Sequence, residues 1–234
     1  NSITIHLKNT DVVINTVGIL NESSKSTFED IHFNLVKTLV NKSKENSVEK
    51  FIHLSALNAD IKGPSRYLQS KGKADEYISN NKDSKLKTVI FRPSIVFGDD
   101  DSFFNRFIKL LKFIPIFPLA CPNSQFSPVY VKDLTAFIEK SIITADYDNQ
   151  IYDVTGPKNY SFAQLIQFIL HTTEKKRFII PLNYTLSKLQ AFFFTYLVPG
   201  KIFTLDNFKS LQIDNVSSKG LKGTSTIEEI VPSY

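Results

Sequence analysis

The sequence predicts an α/β protein with a doubly wound parallel sheet and a smaller helical region at its C-terminal end. Four short runs, 11–15, 50–54, 88–92 and 151–154, are largely apolar, as strands buried on both faces are. Stretches with apolar residues at helical spacing lie between them, and strands alternating with helices build parallel βαβ units. Each run also ends at turn chemistry or proline: Thr16-Val17-Gly18, Ser55, Pro93 and Gly156-Pro157.

The elements follow in order. Residues 1–8 carry Ile3, Ile5 and Leu7, which suit either a strand or the end of a helix. Run 11–15 is the first clear strand. Phe28, Ile31, Leu35, Leu39 and Val40 then recur at helical spacing over 28–44, with Thr27 and Asp30 as a cap. After the strand 50–54, a helix starts near Gly63-Pro64-Ser65 and carries Tyr67, Lys71, Ala74 and Ile78 along one stripe. Pro93 stops the strand 88–92, because it cannot donate to a central ladder. Asp99, Asp100 and Asp101 precede Phe103, Phe104, Phe107 and Ile108, which reads as acids at the positive end of a helix. A metal site there is the weaker reading, since nothing nearby completes an oxygen cage.

Residues 113–122 read as a proline-punctuated apolar loop, and Asp133 as the N-cap of a helix over 134–143. Ser161 caps a helix bearing Phe162, Leu165, Ile166 and Ile169. In 178–199, Leu186, Leu189, Phe193, Tyr196 and Leu197 fall at helical spacing. Lys188, Gln190 and flanking prolines make that segment too short and too polar to span a bilayer, which takes about 20 apolar residues. Packing on its own domain, lying on a membrane through 184–199 and docking on a partner all remain open for it. The tail 217–234, rich in Lys, Ser and Thr, reads as irregular. The expected division is a core over 1–156 and a helical region over 157–234.

Composition narrows the function. A chain of 234 residues with 42% hydrophobic and 22% charged residues buries a real core. The net charge of +5 invites nucleic acid, but the lysines are spread along the chain and form no basic face, so no nucleic-acid partner is expected. The lone Cys121 excludes an intramolecular disulfide and reads as a small buried hydrophobe. His6, His32, His53 and His171 lack ligand spacing, so no metal is assigned. The chain opens on Asn1 and contains no Met, which leads us to expect further residues upstream.

The chemistry concentrates in 51–71. Ser55 ends a strand, where a parallel sheet keeps its chemistry, and Tyr67 and Lys71 lie one helical turn apart on one face. The Lys71 ammonium would lower the Tyr67 phenol, Ser55 could hold a carbonyl, and Lys71 could grip a ribose hydroxyl. A bare Y-x-x-x-K arises often on ordinary helices; its place inside a βαβ run is what strengthens it.

With Ser55, Tyr67 and Lys71 in that order, the chain resembles the short-chain dehydrogenase/reductase superfamily, whose catalytic residues would fall on those three. Asn15-Thr16-Val17-Gly18 resembles the loop that passes under the family's cofactor. Arg92-Pro93-Ser94-Ile95-Val96-Phe97-Gly98 resembles the strand and loop flanking the nicotinamide. The resemblance implies a Rossmann-like fold and a cofactor held by Val17, Gly18, Ser55, Tyr67, Lys71, Pro93, Ser94 and Ile95. The family begins with a strand, a glycine-rich turn and a helix; none of the eight glycines here is spaced that way, so the N-terminal strands are expected to be missing from this sequence. The segments 50–60, 65–67, 103–107 and 128–131 with Asp133 further resemble the atypical reductase-like accessory subunits of mitochondrial respiratory complex I. That implies a non-catalytic subunit holding NADPH, with NADH not excluded and Ser55, Tyr67 and Lys71 vestigial as catalysts. Its partners would be other complex I subunits, on the matrix side of the mitochondrial inner membrane. The alternative is an active NAD(P)H-dependent reductase or sugar-nucleotide epimerase of the same superfamily.

Overall fold

In a computed structural model of the chain, the described residues are 2–82, 85–198 and 203–233. The chain divides into two compact units, Asn1–Pro93 with Thr135–Asp153, and Ser94–Leu134 with Val154–Tyr234. The first contains α1 (Ser2–Leu7), β1 (Val12–Asn15), a π-helical turn (Glu29–Asn34) running into α2 (Leu35–Glu45), β2 (Lys50–Leu54), α3 (Arg66–Asn81) and β3 (Lys87–Pro93). The second opens with β4 (Val96–Phe97), α4 (Phe104–Phe113), β5 (Ile116–Leu119), β6 (Gln125–Phe126) and β7 (Val129–Tyr130). Helix α5 (Val131–Ile143) begins in the second unit and ends in the first, and β8 (Gln150–Thr155) does the reverse. Then come β9 (Tyr160–Ser161), α6 (Phe162–Thr172), β10 (Phe178–Pro181), α7 (Tyr184–Tyr196), α8 (Leu205–Ser210), β11 (Leu221–Lys222) and α9 (Ile227–Ile230).

The first unit is the parallel, doubly wound sheet expected from the sequence. Strands β1 and β2 pair with Val12 opposite Lys50, and β2 and β3 with Lys50 opposite Lys87. On the far side of β3 the Asn149 N–H donates to the Thr88 carbonyl at 2.6 Å, at the start of β8. Central β2 is buried from Lys50 through His53, which is why its run shows no polar alternation. Helices α2 and α3 cover one face through Val36, Val40, Ala74 and Ile78, packed on Phe51 and Ile90. At about 25 cal/mol per Å² of apolar surface, such fully buried side chains contribute about 1.5–3 kcal/mol each. Lys50 is buried too, and its Nζ donates to the carbonyls of Ser141 (2.7 Å) and Thr144 (3.1 Å) while pairing with Asp148 at 2.8 Å. A cation thus satisfies the carbonyls at the end of α5.

At three of the helix starts the sequence marks, side chains hold the first turn. Ser65 Oγ accepts from the Leu68 amide, and Ser161 with Gln164 forms a capping box on α6. Thr27 Oγ1 accepts from the Asp30 N–H and donates to the Asp30 carboxylate.

In the second unit, Phe97, Phe104, Leu111, Leu119, Leu165 and Ile166 form the centre of an aromatic-rich core. Four sequence expectations are corrected here. Residues 116–119 are not loop: β5 pairs in parallel with β10, Ile116 opposite Phe178, and Pro118 is tolerated because this sheet has only two strands. The segment 178–199 accordingly opens as a strand, and α7 begins only at Tyr184, behind Asn183, whose Oδ1 accepts from the Leu186 amide. Asp133 is not an N-cap, since α5 already starts at Val131. Its carboxylate accepts from the amides of Thr224 (2.8 Å) and Ser225 (2.9 Å). The tail is therefore ordered, with β11 beside the end of β8 and with Ile227 and Val231 buried. Residues 2–7 resolve to helix. Asn1, Pro199 and Tyr234 lie outside the described residues.

Gly156 marks the tightest approach in the second unit: a Cβ there would stand 1.8 Å from the Pro128 carbonyl oxygen. Gly156→Ala is expected to lower stability by about 2 to 3 kcal/mol, read as a lower midpoint in urea unfolding.

Candidate functional site

The site lies in the first unit, at the C-terminal ends of β1, β2 and β3, where an open parallel sheet accepts ligands. The ladder continues past the strands: the Ser55 amide donates to Phe91 O (2.8 Å) and the Leu57 amide to Pro93 O (2.9 Å). Ser55 is thereby held beside the end of β3. The loop 56–65 then folds back over α3, and Gly72 permits this. A Cβ on Gly72 would lie 2.4 Å from the Asp60 carbonyl carbon.

Lys71 is buried, and its Nζ donates to the Leu54 carbonyl at 3.1 Å. Burial lowers its pKa to about 8, although the Asp75 carboxylate one turn further along α3 acts to raise it. Tyr67 is half-buried, and its packed surroundings push the phenol up to about 12. The expected lowering by Lys71 is overturned, because burial decides the outcome. Gly18 lies so near Lys71 that a Cβ on it would meet Nζ at 3.4 Å.

Behind these residues runs a buried polar network. Asn15 Oδ1 accepts from the Val17 amide (3.2 Å), which leaves Asn15 Nδ2 to donate to His53 Nδ1 (3.1 Å). That contact places the His53 proton on Nε2, 4.0 Å from Asp75 Oδ1. Arg92 Nε donates to Asp75 Oδ2 at 2.7 Å. Burial raises Asp75 and Arg92 acts against it; burial and the nearby Lys71 hold His53 well below its ordinary value. Ser55 faces the same carboxylate and acts to lower it, yet its Oγ, His53 Nε2 and Asp75 Oδ1 all lack a well-formed hydrogen bond. Orphaned atoms of this kind fit a site that a ligand or water completes.

His32 is the residue that sequence reasoning passed over. It is fully buried, stacks on Phe28 (5.3 Å between ring centres) and meets Tyr67 edge-on (5.4 Å). Its Nε2 accepts from the Ile19 amide at 3.0 Å. Burial, followed by the Lys71 charge, brings its pKa down to about 3. A lone His has no local signature, and neither have Asn15, His53 and Asp75. The available signal was spacing, since Asp75 continues the Tyr67–Lys71 stripe by one turn.

The remaining candidates are placed differently. Val17 is half exposed on the β1 loop. Pro93 ends β3. Ser94 belongs to the second unit, where its hydroxyl is spent on Asn215 Oδ1 (2.6 Å), and Ile95 packs on that unit's core. Cys121 is half-buried in a turn at φ 49°. Among the described residues no group of acidic, His or Cys side chains could hold a metal ion.

Comparison with other proteins places the fold. Residues 57–139 match the 3-beta hydroxysteroid dehydrogenase/isomerase family. The mitochondrial NADH dehydrogenase (ubiquinone) 1 alpha subcomplex subunit 9 of Mus musculus is 31% identical over 205 residues, 87% of this chain and 51% of the mouse protein. The Arabidopsis thaliana protein of the same name is 28% identical over 230 residues, 91% of this chain and 55% of its own. The chain therefore spans about half the length of these relatives. Among solved structures, UDP-glucuronic acid 4-epimerase from Bacillus cereus, in complex with UDP-glucuronic acid and NAD, superposes with a TM-score of 0.66 at 17% identity. That match covers 93% of this chain and 74% of the epimerase, and it shows the Rossmann-like fold.

The two neutral imidazoles make stability depend on pH. The folded pKa of His32, about 3, lies below its ordinary 6.5. Its contribution is therefore complete above pH 6.5 and is lost as pH falls toward about 3, because the unfolded chain takes the proton first. His53 acts in the same sense. Asp75, raised by burial, acts oppositely, its contribution being lost as pH rises above the ordinary carboxylate value. Between pH 6.5 and 5 the His32 share is about 2 kcal/mol. Urea unfolding at both pH values should show His32→Phe losing correspondingly less stability than wild type.

Proposed function

Because the chain is a homologue of the complex I alpha subcomplex subunit 9 proteins and has the Rossmann-like fold of short-chain dehydrogenase/reductases, we propose that it is an accessory subunit of mitochondrial respiratory complex I. In this reading it holds a nicotinamide dinucleotide, NADPH in the first instance, without turning it over. It stabilises or helps assemble the matrix-side arm among other complex I subunits at the inner membrane. The holding set is Val17, Gly18, Ser55, Tyr67, Lys71 and Pro93. The residues suit the ligand: Gly18 stands against the buried Lys71 ammonium, and the Ser55 hydroxyl has no well-formed hydrogen bond to give up. When bound, the dinucleotide would supply hydride chemistry.

The holding part is supported by geometry: the buried Lys71 ammonium, a charged donor at the strand ends, lies against the Gly18 loop, and burial raises the Tyr67 phenol instead of lowering it. Lys71 is then a grip on the ribose hydroxyls and does not tune a catalyst.

Membrane contact is proposed through 184–199. On α7 the residues turned inward are Ser187 and Ala191, while Leu189, Phe192, Tyr196 and Leu197 are 51% to 66% exposed. The apolar face is thus not the one its own domain covers. Among the described residues no helix is long and apolar enough to cross a membrane.

Denaturing extraction of the purified protein should release a dinucleotide, and Lys71→Met should abolish its retention. Since the Lys71 ammonium is lost as pH rises through about 8, affinity should be about thirtyfold weaker at pH 9.5 than at pH 7. The protein should also co-purify with complex I and oxidise no NADPH against a panel of carbonyl compounds. Turnover that Tyr67→Phe abolishes would overturn the holding role in favour of an active reductase or epimerase.

A further inference from the structure

We propose that His32 is a positioning residue of the dinucleotide site, a neutral buried imidazole that sets the distance between the Val17–Ile19 loop and the helix carrying Tyr67 and Lys71. The proposal rests on the dinucleotide reading above and adds to it a residue that neither the family motifs nor the spacing of the chain picks out.

The hydrogen bonds leave one arrangement. The Ile19 amide can only donate, so His32 Nε2 must be the bare nitrogen and Nδ1 must carry the proton. Nδ1–H then donates to Ser70 Oγ at 2.9 Å, and Ser70 Oγ–H donates to the Tyr67 carbonyl at 2.8 Å. One imidazole therefore connects a loop amide after β1 to the first turns of α3. Its ring faces also contact Phe28 and Tyr67, so ring and bonds fix the same gap.

The loop is pinned on both sides of Gly18. Asn15 holds the Val17 amide and His32 holds the Ile19 amide, while Gly18 itself stays exposed on the loop surface. A Cβ on Gly18 would lie 3.4 Å from Lys71 Nζ and 3.6 Å from His32 Nε2, so the loop sits directly against both side chains. Loss of the His32 bond would release the loop on the side nearest α3. Release of this kind costs affinity, because the binding energy must then order the loop.

The test compares full-chain wild type, His32→Phe and His32→Gln. Phe keeps the stack on Phe28 and the contact with Tyr67 but loses both hydrogen bonds; Gln keeps an acceptor and a donor in a smaller side chain. The readouts are NADPH affinity by fluorescence titration and hydrogen exchange of the Ile19 amide, which needs no ligand. His32→Phe should bind NADPH about tenfold more weakly and exchange Ile19 at least tenfold faster, with its urea midpoint at pH 7 confirming a folded chain. His32→Gln should recover part of both. If wild type binds NADPH and His32→Phe binds it equally well, the positioning role is overturned while the site stands. Slow Ile19 exchange in His32→Phe overturns it as well. A wild-type chain that binds no dinucleotide removes the reading of the site itself, and the positioning role with it.

Discussion

The burial of a single cation, Lys71, governs the chemistry of the first unit. An ammonium placed under the ends of three parallel strands loses most of its hydration, and only strong compensation keeps such a group charged near neutral pH. Asp75 provides it from one turn along α3, and Arg92 in turn holds Asp75. The same cation disfavours any second positive charge nearby, which is one reason His32 and His53 are both held neutral. Neutral imidazoles have one donor and one acceptor each. Each can therefore join a donor on one element to an acceptor on another, which a protonated ring, with two donors and no acceptor, could not do.

The second unit is held by a different kind of constraint. Its strands are mostly two to four residues long and would be marginal in isolation. Aromatic packing compensates: Phe103, Phe107, Phe126 and Phe162 meet at 5.0 to 6.2 Å between ring centres. Edge-to-face and tilted ring pairs of this kind contribute about 0.5–1.5 kcal/mol each beyond area burial. Part of the chain's 20 Phe finds this structural use.

These two architectures differ in how far they can be read from sequence. The sheet of the first unit was legible because each strand is a contiguous apolar run, and Ser65 and Ser161 announce their helices locally. The pairing of 116–119 with 178–181 was not, because it joins segments about 60 residues apart and passes through a proline. Asp133 misled for the same reason: its partners, Thr224 and Ser225, are more than 90 residues distant, and nothing local separates a cap from an anchor. At the site, Ser55, Tyr67 and Lys71 were picked out by their spacing together with their place in a βαβ run. His32 and His53, which the Lys71 charge helps hold neutral, were not, since burial and partner geometry exist only after folding.

Magnitudes bear on whether so catalytic a constellation must turn over. Raising the Tyr67 phenol from 10.0 to about 12 disfavours phenolate by about 2.7 kcal/mol. Poising the same phenol at neutral pH would take about 7 kcal/mol in the opposite direction. A full positive charge 4 Å away contributes about 4 kcal/mol at the effective dielectric of a protein site. A single such charge leaves about 3 kcal/mol unmet, and Lys71 Nζ is already donating to the Leu54 carbonyl. A ribose hydroxyl asks much less, since a single hydrogen bond to a charged donor contributes about 1.5–3 kcal/mol with no proton moved. In the holding role proposed above, Tyr67 and Lys71 serve as a grip, and that role asks for no proton transfer.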